Sequence, residues 1–312
     1  MDIRTGLASL PLDEGPSVVT IGFFDGVHRG HRAVLVRTVD AARERDARAV
    51  AVTFDRHPRE TLTPNDVPRL LTTTERKAGL IAETGMDLLL VLEFTNELSR
   101  VPAGDFVRDV LAAGVHAVHV VVGANFTFGH RALGTIETLR ELGPSFGFTS
   151  EAVDLFELDG RAVSSSSVRA ALAEGDLAWP TRALGRRYAV DGTVVSGAGR
   201  GHGLGYPTAN LETEPRLLLP AKGIYAGRAS GDDGSHVAAI SVGTNPTFGV
   251  EPLHVEAHLL DFEGDLRGRA LAVEFWERLR NEERFENVTD LVRAMDDDVQ
   301  RTRAIVTTQD DR

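Results

Sequence analysis

Two histidines three residues apart, His28 and His31, follow a glycine-rich break in Thr20-Ile21-Gly22-Phe23-Phe24-Asp25-Gly26-Val27-His28-Arg29-Gly30-His31. Side chains at that spacing share one side of a helix, so two imidazoles could donate to a single anion. Glycines at 22, 26 and 30 let the backbone come close to a ligand. A strand feeding a helix here gathers main-chain N–H groups and the positive helix end at one point, where a phosphate can bind. The plainer alternative is a strand-turn-helix packing unit with two surface histidines, since so short a string also arises by chance.

Three further segments could serve the same chemistry. Val122 to Gly129 offers an amide, Asn125, and two aromatics, Phe126 and Phe128, suited to hydrogen bonding and stacking a nucleotide. Thr53-Phe54-Asp55-Arg56-His57-Pro58 closes an apolar run with an aromatic and a proline-restricted turn. Ser164 to Ser167 followed by Arg169 places hydroxyls at a helix start and a guanidinium one turn in, a second grip on phosphate. Each alone could be ordinary: core phenylalanines, a turn histidine, a plain helix cap.

A second constellation lies downstream. Glycines at 197, 199, 201, 203 and 205 precede Tyr206-Pro207-Thr208-Ala209-Asn210. A strand would not tolerate glycines so spaced, which suggests a flap able to close over polyphosphate. An extended backbone after it puts the Thr208 and Asn210 oxygens on one side, a compact pair of hard ligands for Mg²⁺. The Gly-Lys-Ser/Thr of a Walker loop is absent. In Val255 to Leu260, alternation sets Glu256 and His258 on one face and Val255, Ala257 and Leu259 on the other. A carboxylate so placed could accept the proton of an attacking hydroxyl, or form an edge salt bridge.

The elements that must position these residues fall into two patterns. From Val18 to about Ala173, apolar runs alternate with amphipathic helices; the strands expected are Val18 to Phe24, Arg48 to Phe54, Asp87 to Phe94, Val115 to Gly123 and Thr149 to Leu158. Leu35, Val39 and Ala42 share a face of the first helix, and Thr72 with Glu75 makes a capping box for a helix running through Ile81 to Gly85. This predicts a doubly wound, Rossmann-like α/β domain with ligands at the carboxyl ends of its strands. Beyond Trp179-Pro180, short runs at Tyr188 to Ser196, Gly223 to Ala229, Val237 to Val242, Leu253 to Leu260 and Ala270 to Trp276 predict a small antiparallel β-barrel. After Asn281 a C-terminal helix is expected, with Leu291, Met295, Val299 and Ala304 on one face and Asp296 to Asp298 in solvent. The domains expected are residues 1–180 and 181–312.

The chain has 312 residues, 42% of them hydrophobic, which is ample for two packed cores. Asp and Glu number 46 against 34 Lys and Arg, and the net charge of −12 argues against a nucleic-acid partner. With no cysteine there can be no disulfide, thiol nucleophile or thiolate metal site. Met1-Asp2-Ile3-Arg4 does not open a signal sequence, and no apolar run nears the ~20 residues of a membrane span, so no membrane partner and a cytoplasmic location are expected. Association of identical chains stays open.

Taken together and in order, GFFDGVHRGH, TFDRHP, GANFTFG and SSSSVR resemble the adenylyltransferase module of the prokaryotic bifunctional riboflavin kinase/FMN adenylyltransferases, the FAD synthetases. The resemblance implies that His28, His31 and Arg169 act on the ATP phosphates during adenylylation of FMN. By the same likeness Gly22, Phe23, Gly26, Asn125, Ser164 and Ser166 hold the nucleotide, while Phe54, His57, Pro58 and Phe128 lie near the flavin. Arg56 stands where the family pattern has proline, and Asn125 where many members have Asp. The segments GRGHGLGYPTANL, LPAKGIYAG, SVGTNPTFG and VEAHLLDFEGDLRG resemble the riboflavin kinase module, from about Gly185 to Ile305. That likeness implies Gly201, Gly203, Thr208 and Asn210 on Mg·ATP, Glu256 as general base for riboflavin, and Arg280 and Phe285 beside the flavin. Arg267 replaces a tyrosine frequent in the family.

The resemblance thus implies ATP as co-substrate, Mg²⁺, and riboflavin, FMN and FAD as substrates and products. Two rivals differ in class. HxGH also occurs in nucleotidyltransferases for other phosphorylated cofactor precursors and in class I aminoacyl-tRNA synthetases, although a tRNA partner would want basic surface. A flavin-binding sensor with a silent barrel is opposed by the joint presence of Thr208, Asn210 and Glu256.

Overall fold

Apolar runs with no polar face must be covered on both sides, and in the first half of the chain they become the central strands of a parallel sheet. The computed structural model describes residues 1–10, 15–197, 205–232, 234–244 and 253–310. The chain divides into two units, Met1–Ser165 and Ser166–Arg312.

In the first unit, β1 (Asp2–Thr5), β2 (Ser17–Ile21), β3 (Arg48–Phe54), β4 (Leu88–Leu92), β5 (Ala117–Gly123) and β6 (Thr149–Val153) form one sheet in the order β1-β4-β3-β2-β5-β6. Every pairing is parallel. All residues of β2 and β4 are buried. On one face, α1 (Arg29–Glu44) contributes Leu35, Val39 and Ala42 to a core with Val18, Ala51 and Leu89. On the other, Val19, Val52 and Leu90 pack against Phe106, Leu111 and Leu139. The other α-helices described in the unit are α2 (Pro58–Leu62), α3 (Thr74–Ala82), α4 (Asn96–Ser99), α5 (Ala103–Phe106), which runs on as a π-helix over Val107–Ala112, and α6 (Ile136–Phe146). Chain direction across the sheet reverses between β2 and β5, and ligands of doubly wound sheets bind beyond the carboxyl ends at such a switch point.

One expected strand is shorter. The run from Thr149 to Leu158 breaks after Val153, and Glu157–Leu158 instead forms β7 of a two-stranded hairpin with β8 (Arg161–Ala162). Asp159 and Gly160 turn that hairpin in left-handed backbone at φ of 55° and 71°.

The second unit begins within α7 (Ser165–Glu174), continues through α8 (Ala178–Leu184) and closes a barrel. Its strands are β9 (Tyr188–Val195), β10 (Ala209–Thr213), β11 (Gly223–Gly231), β12 (Gly234–Gly243), β13 (His254–Leu259) and β14 (Ala270–Arg280), in the order β10-β13-β12-β11-β14-β9. All six pairings are antiparallel. Tyr225 and Phe275 meet edge to face at 5.3 Å in the interior. The strand β10 was not among the expected runs; it is short and contains Asn210 and Glu212. The final helix, α9 (Val288–Asp310), buries Asp298, Thr302 and Val306; of the face expected, Leu291, Met295 and Val299 are half-buried and line a cavity with Asp298, whereas Ala304 is exposed.

Between Ala226 and Gly227 the β11–β14 register shifts, and a Cβ on Gly227 would fall 1.9 Å from the Glu274 carbonyl oxygen. Overpacking of this kind costs ~1–3 kcal/mol. Gly227→Ala should therefore lower the melting temperature of the barrel, by about 2–4 °C per kcal/mol, in a thermal unfolding scan. An unchanged transition would mean that β14 can move aside.

Candidate active sites

The seven positions from Gly22 to His28 reverse the chain between β2 and α1. Three adjacent or near-adjacent residues take left-handed backbone: Phe24 at φ 55°, Gly26 at 78° and Val27 at 37°. A β-branched residue there is strained and persists only where the surrounding structure holds it. The turn is held by Asp25, which is 3% exposed. Its carboxylate accepts from the Leu71 N–H at 2.9 and 3.0 Å and from the Thr72 N–H at 3.2 Å. The Thr72 hydroxyl in turn accepts from the Gly26 N–H at 3.2 Å. Thr72 is therefore not the cap of α3; Thr73 is, accepting from the Arg76 N–H at 3.2 Å. The expected capping box gives way because a buried carboxylate 47 residues away claims Thr72.

His28 caps α1, its Nδ1 accepting from the His31 N–H at 3.2 Å. In the neutral ring this leaves the proton on Nε2, so the imidazole presents a donor away from the helix. The His31 ring stacks on it at 3.6 Å and 19°. A Cβ on Gly30 would meet the His28 ring at 3.2 Å, and one on Gly26 would meet Leu71 at 2.7 Å. The structure thus brings Gly22, Gly26, His28 and His31 together at the helix start.

The second loop leaves β3. His57 caps α2, accepting from the Arg59 N–H at 3.1 Å, while the Glu60 carboxylate accepts from the His57 N–H at 2.7 Å. The Phe23 ring meets His57 edge to face at 4.9 Å, which joins the two loops. Arg56, in the place of the family's proline, pairs with Asp55 at 2.7 Å. Burial pushes the Asp55 carboxyl up, but Arg56 and the Phe94 N–H outweigh it and hold it below its ordinary value. After β5, Asn125 is exposed. Phe128 is buried in the core, stacked on Phe126 at 5.6 Å and tilted against Phe106 at 5.9 Å, so it supports this loop from below. Ser165 donates to the Asp25 carbonyl at 3.0 Å. Ser164 belongs to the first unit; Ser166 and Arg169 lie on α7 beyond the division at Ser165.

In the barrel, two cavities share Thr208. One, of about 620 Å³, is lined by the Ser196–Gly197 and Pro207–Asn210 stretches and by Asp265 and Arg267. The other, of about 280 Å³, is lined by Tyr206, Glu256, His258, Arg280, Phe285 and Met295 among others. Thr208 Oγ1 donates to Glu256 Oε2 at 3.1 Å, and Glu256 Oε1 lies 3.3 Å from His254 Nε2. Strand register sets Asn210 opposite Glu256. A Cβ on Gly197 would come 2.2 Å from the Asn210 amide nitrogen, so only glycine leaves that side chain room. The hydroxyl, amide and carboxylate oxygens gathered here are hard donors that fit Mg²⁺. Gly201, Gly203 and the Asn245-Pro246-Thr247 stretch lie outside the described residues.

The smaller cavity carries an ion pair missed in the sequence. Arg280 donates to Asp298 at 3.0 and 2.7 Å, and Phe285 lies 5.6 Å from the guanidinium. Asp298 is 4% exposed, which corrects the expectation of a solvated acidic run. Its neighbour Asp296 accepts from the Tyr206 hydroxyl, which pushes that phenol up to about 12. His258 Nδ1 meets the Pro207 carbonyl oxygen at 2.8 Å. Exposed Arg267 forms a two-point pair with Asp265 at 2.9 and 2.6 Å.

Two family models match the chain, one described as FAD synthetase over residues 11–167 and one as riboflavin kinase over residues 184–306. A bifunctional riboflavin kinase/FMN adenylyltransferase from Pseudomonas fluorescens is 39% identical over 306 residues, 98% of each chain. The chain belongs to the bifunctional riboflavin kinase/FMN adenylyltransferases. As a member of that family it phosphorylates riboflavin to FMN with ATP and adenylylates FMN to FAD, releasing pyrophosphate. The Escherichia coli K12 enzyme of the same description is 34% identical over 275 residues, 88% of each chain. A solved structure from Streptococcus pneumoniae, described as a macrolide-efflux protein, matches with a TM-score of 0.89 at 28% identity, over 97% of this chain and 99% of that one. Efflux is said of that protein; among the described residues here no helix is long and apolar enough to cross a membrane.

Removing the Asp25 carboxylate would leave the buried Leu71 and Thr72 N–H groups without their acceptor, at ~1–3 kcal/mol each. Asp25→Ala should lower the stability of the first unit and sharply reduce FAD formation from FMN, while FMN formation from riboflavin continues. Separation of flavin products by chromatography checks both rates.

Proposed function

We propose that the two reactions run at separate sites, each handing a different part of ATP to the flavin. FAD formation is assigned to residues 1–180, with the Ser164 to Arg169 motif counted in that domain, and riboflavin phosphorylation to residues 181–312. In the first, the FMN phosphate oxygen attacks the α-phosphorus of ATP and the bond to pyrophosphate breaks. No enzyme nucleophile is needed, so the protein's task is positioning and charge neutralisation. His28 and His31 donate to the polyphosphate with the α1 N–H groups, and Arg169 adds its guanidinium. Phe23, Asn125, Ser164 and Ser166 hold the nucleotide, with Phe54, His57 and Pro58 on the flavin side and Phe128 supporting the Asn125 loop from the core.

In the barrel, the larger cavity takes ATP and the smaller one the flavin ring system, between Arg280 and Phe285. Glu256 accepts the proton of the riboflavin 5′-hydroxyl as its oxygen attacks the γ-phosphorus and ADP departs. Thr208 and Asn210 would hold Mg²⁺, which when bound neutralises charge on the phosphates. The observation carrying this assignment is the Thr208–Glu256 hydrogen bond at the shared wall of the two cavities, which joins a nucleotide-side residue to the proposed base. A net charge of −12 supports small-molecule partners rather than nucleic acid, and a cytoplasmic location suits the substrates.

Glu256→Gln should abolish FMN formation from riboflavin and spare FAD formation from supplied FMN. His28→Ala and His31→Ala should do the reverse. Loss of both activities in either variant would overturn the two-site assignment.

A further inference from the structure

Lys77 and Lys222 are the only lysines in the chain; the other 32 of the 34 basic residues are arginine. Lys77, on α3, is 3% exposed. Its Nζ donates to the Phe23 carbonyl at 3.3 Å, the Thr53 hydroxyl at 3.3 Å and the Phe54 carbonyl at 3.2 Å. It also sits 4.4 Å over the Phe23 ring. Phe23 belongs to the turn that leads to His28 and His31, whereas Thr53 and Phe54 end β3 and lead to His57 and Pro58. Three acceptors from two loops thus match the three protons of one ammonium.

We propose that Lys77 is a positioning residue for FAD formation, tying the turn after β2 to the end of β3 so that the phosphate-binding histidines and the flavin-side loop keep a fixed separation. This rests on the assignment of those two loops to ATP and flavin. A lysine suits the place better than arginine because its charge is compact and its three donors rotate freely. It is a costly group to bury, and an apolar side chain would pack there without the desolvation penalty, but would leave the two loops unconnected.

The charged and titratable groups facing Lys77 are Asp25 from the turn, Asp55 from the end of β3, and His57 across the Phe23 ring. Burial lowers the Lys77 pKa from 10.5 to about 8, against the pull of Asp25 and Asp55. The folded value lies below the unfolded one, so between about pH 8 and 10.5 the unfolded chain holds a proton that the folded chain has released. In that window Lys77's contribution to stability rises with pH. Over the same window the neutral amine has two protons for three acceptors, and the tether weakens. Activity and this part of the stability therefore move in opposite directions, which separates positioning from a purely structural role.

The test measures kcat and KM for FMN adenylylation in the full-length enzyme from about pH 7 to 10, for wild type, Lys77→Arg and Lys77→Met, with thermal unfolding on the same samples. Wild type should lose kcat in a one-proton step above about pH 8 with no matching fall in melting temperature. Lys77→Arg, which cannot release its proton in this range, should lose the step. Lys77→Met should lower kcat about tenfold or more near pH 7.5 while KM for ATP changes little and FMN formation from riboflavin persists. An alkaline step that survives in Lys77→Arg, or wild-type kcat in Lys77→Met, would overturn the proposal; should Lys77→Met not fold, the comparison of wild type with Lys77→Arg decides alone. Unimpaired FAD formation in His28→Ala would instead remove the loop assignment beneath it.

Discussion

The first unit depends on a chain reversal of seven residues that aims the start of α1 outward from the end of β2. A reversal this tight forces Phe24, Gly26 and Val27 into left-handed backbone, and each non-glycine instance costs ~1–3 kcal/mol. The opposing terms are local and visible. Phe24 and Val27 bury their side chains, at 3% and 0% exposure, and the Asp25 carboxylate fastens the turn to Leu71 and Thr72. A strained turn clamped from behind cannot relax when a phosphate arrives. On the proposed assignment, that rigidity would let main-chain N–H groups act on an anion without being reorganised at the moment of reaction.

The barrel reaches an equivalent end by strand register. A slip of one residue would turn every side chain of β10 to the opposite face, so the Asn210–Glu256 pairing is what puts Thr208 beside the carboxylate. Glycine is needed where a neighbouring strand crowds this arrangement, as Gly197 does at Asn210. α9 then lays Asp298 across Arg280 at the smaller cavity. With one partner removed, the other would be a buried, unpaired charge, so the pair fixes the helix at that cavity even if it adds little net stability.

What the sequence reveals of this follows from the range of the forces involved. Apolar periodicity is local, so β3 has the bounds expected, Arg48–Phe54, and the alternating faces of Val255 to Leu260 are as expected, with Glu256 and His258 less buried than their neighbours. The motifs carrying HxGH and PTAN are also local strings. Long-range choices are not local. Thr72 has every mark of a cap until Asp25, 47 residues earlier, claims it, and Asp298 looks solvated in a run of three aspartates until Arg280, 18 residues earlier, proves to lie beneath it. β10 escaped notice because its two polar residues, Asn210 and Glu212, and the glycines before it mask a five-residue pattern. Nothing in the local pattern around Lys77 marks it as buried. Its role depends on two loops that only the fold brings to it.

A chain of net charge −12 that handles ATP and flavin phosphates needs a way to bind polyanions without a broad basic surface. Many of its arginines are occupied by neighbouring carboxylates, as in Arg56–Asp55, Arg108–Asp105, Arg267–Asp265 and Arg303–Asp261. Exposed pairs of this kind add little stability, but each largely cancels its own long-range field. On the assignment proposed above, what remains for the substrate is short-range: a helix start, two stacked imidazoles and oxygen ligands on one strand face. Such donors act within hydrogen-bond distance and are indifferent to charge farther away. An acidic protein can therefore hold a polyphosphate at a few fixed points without a broad basic surface.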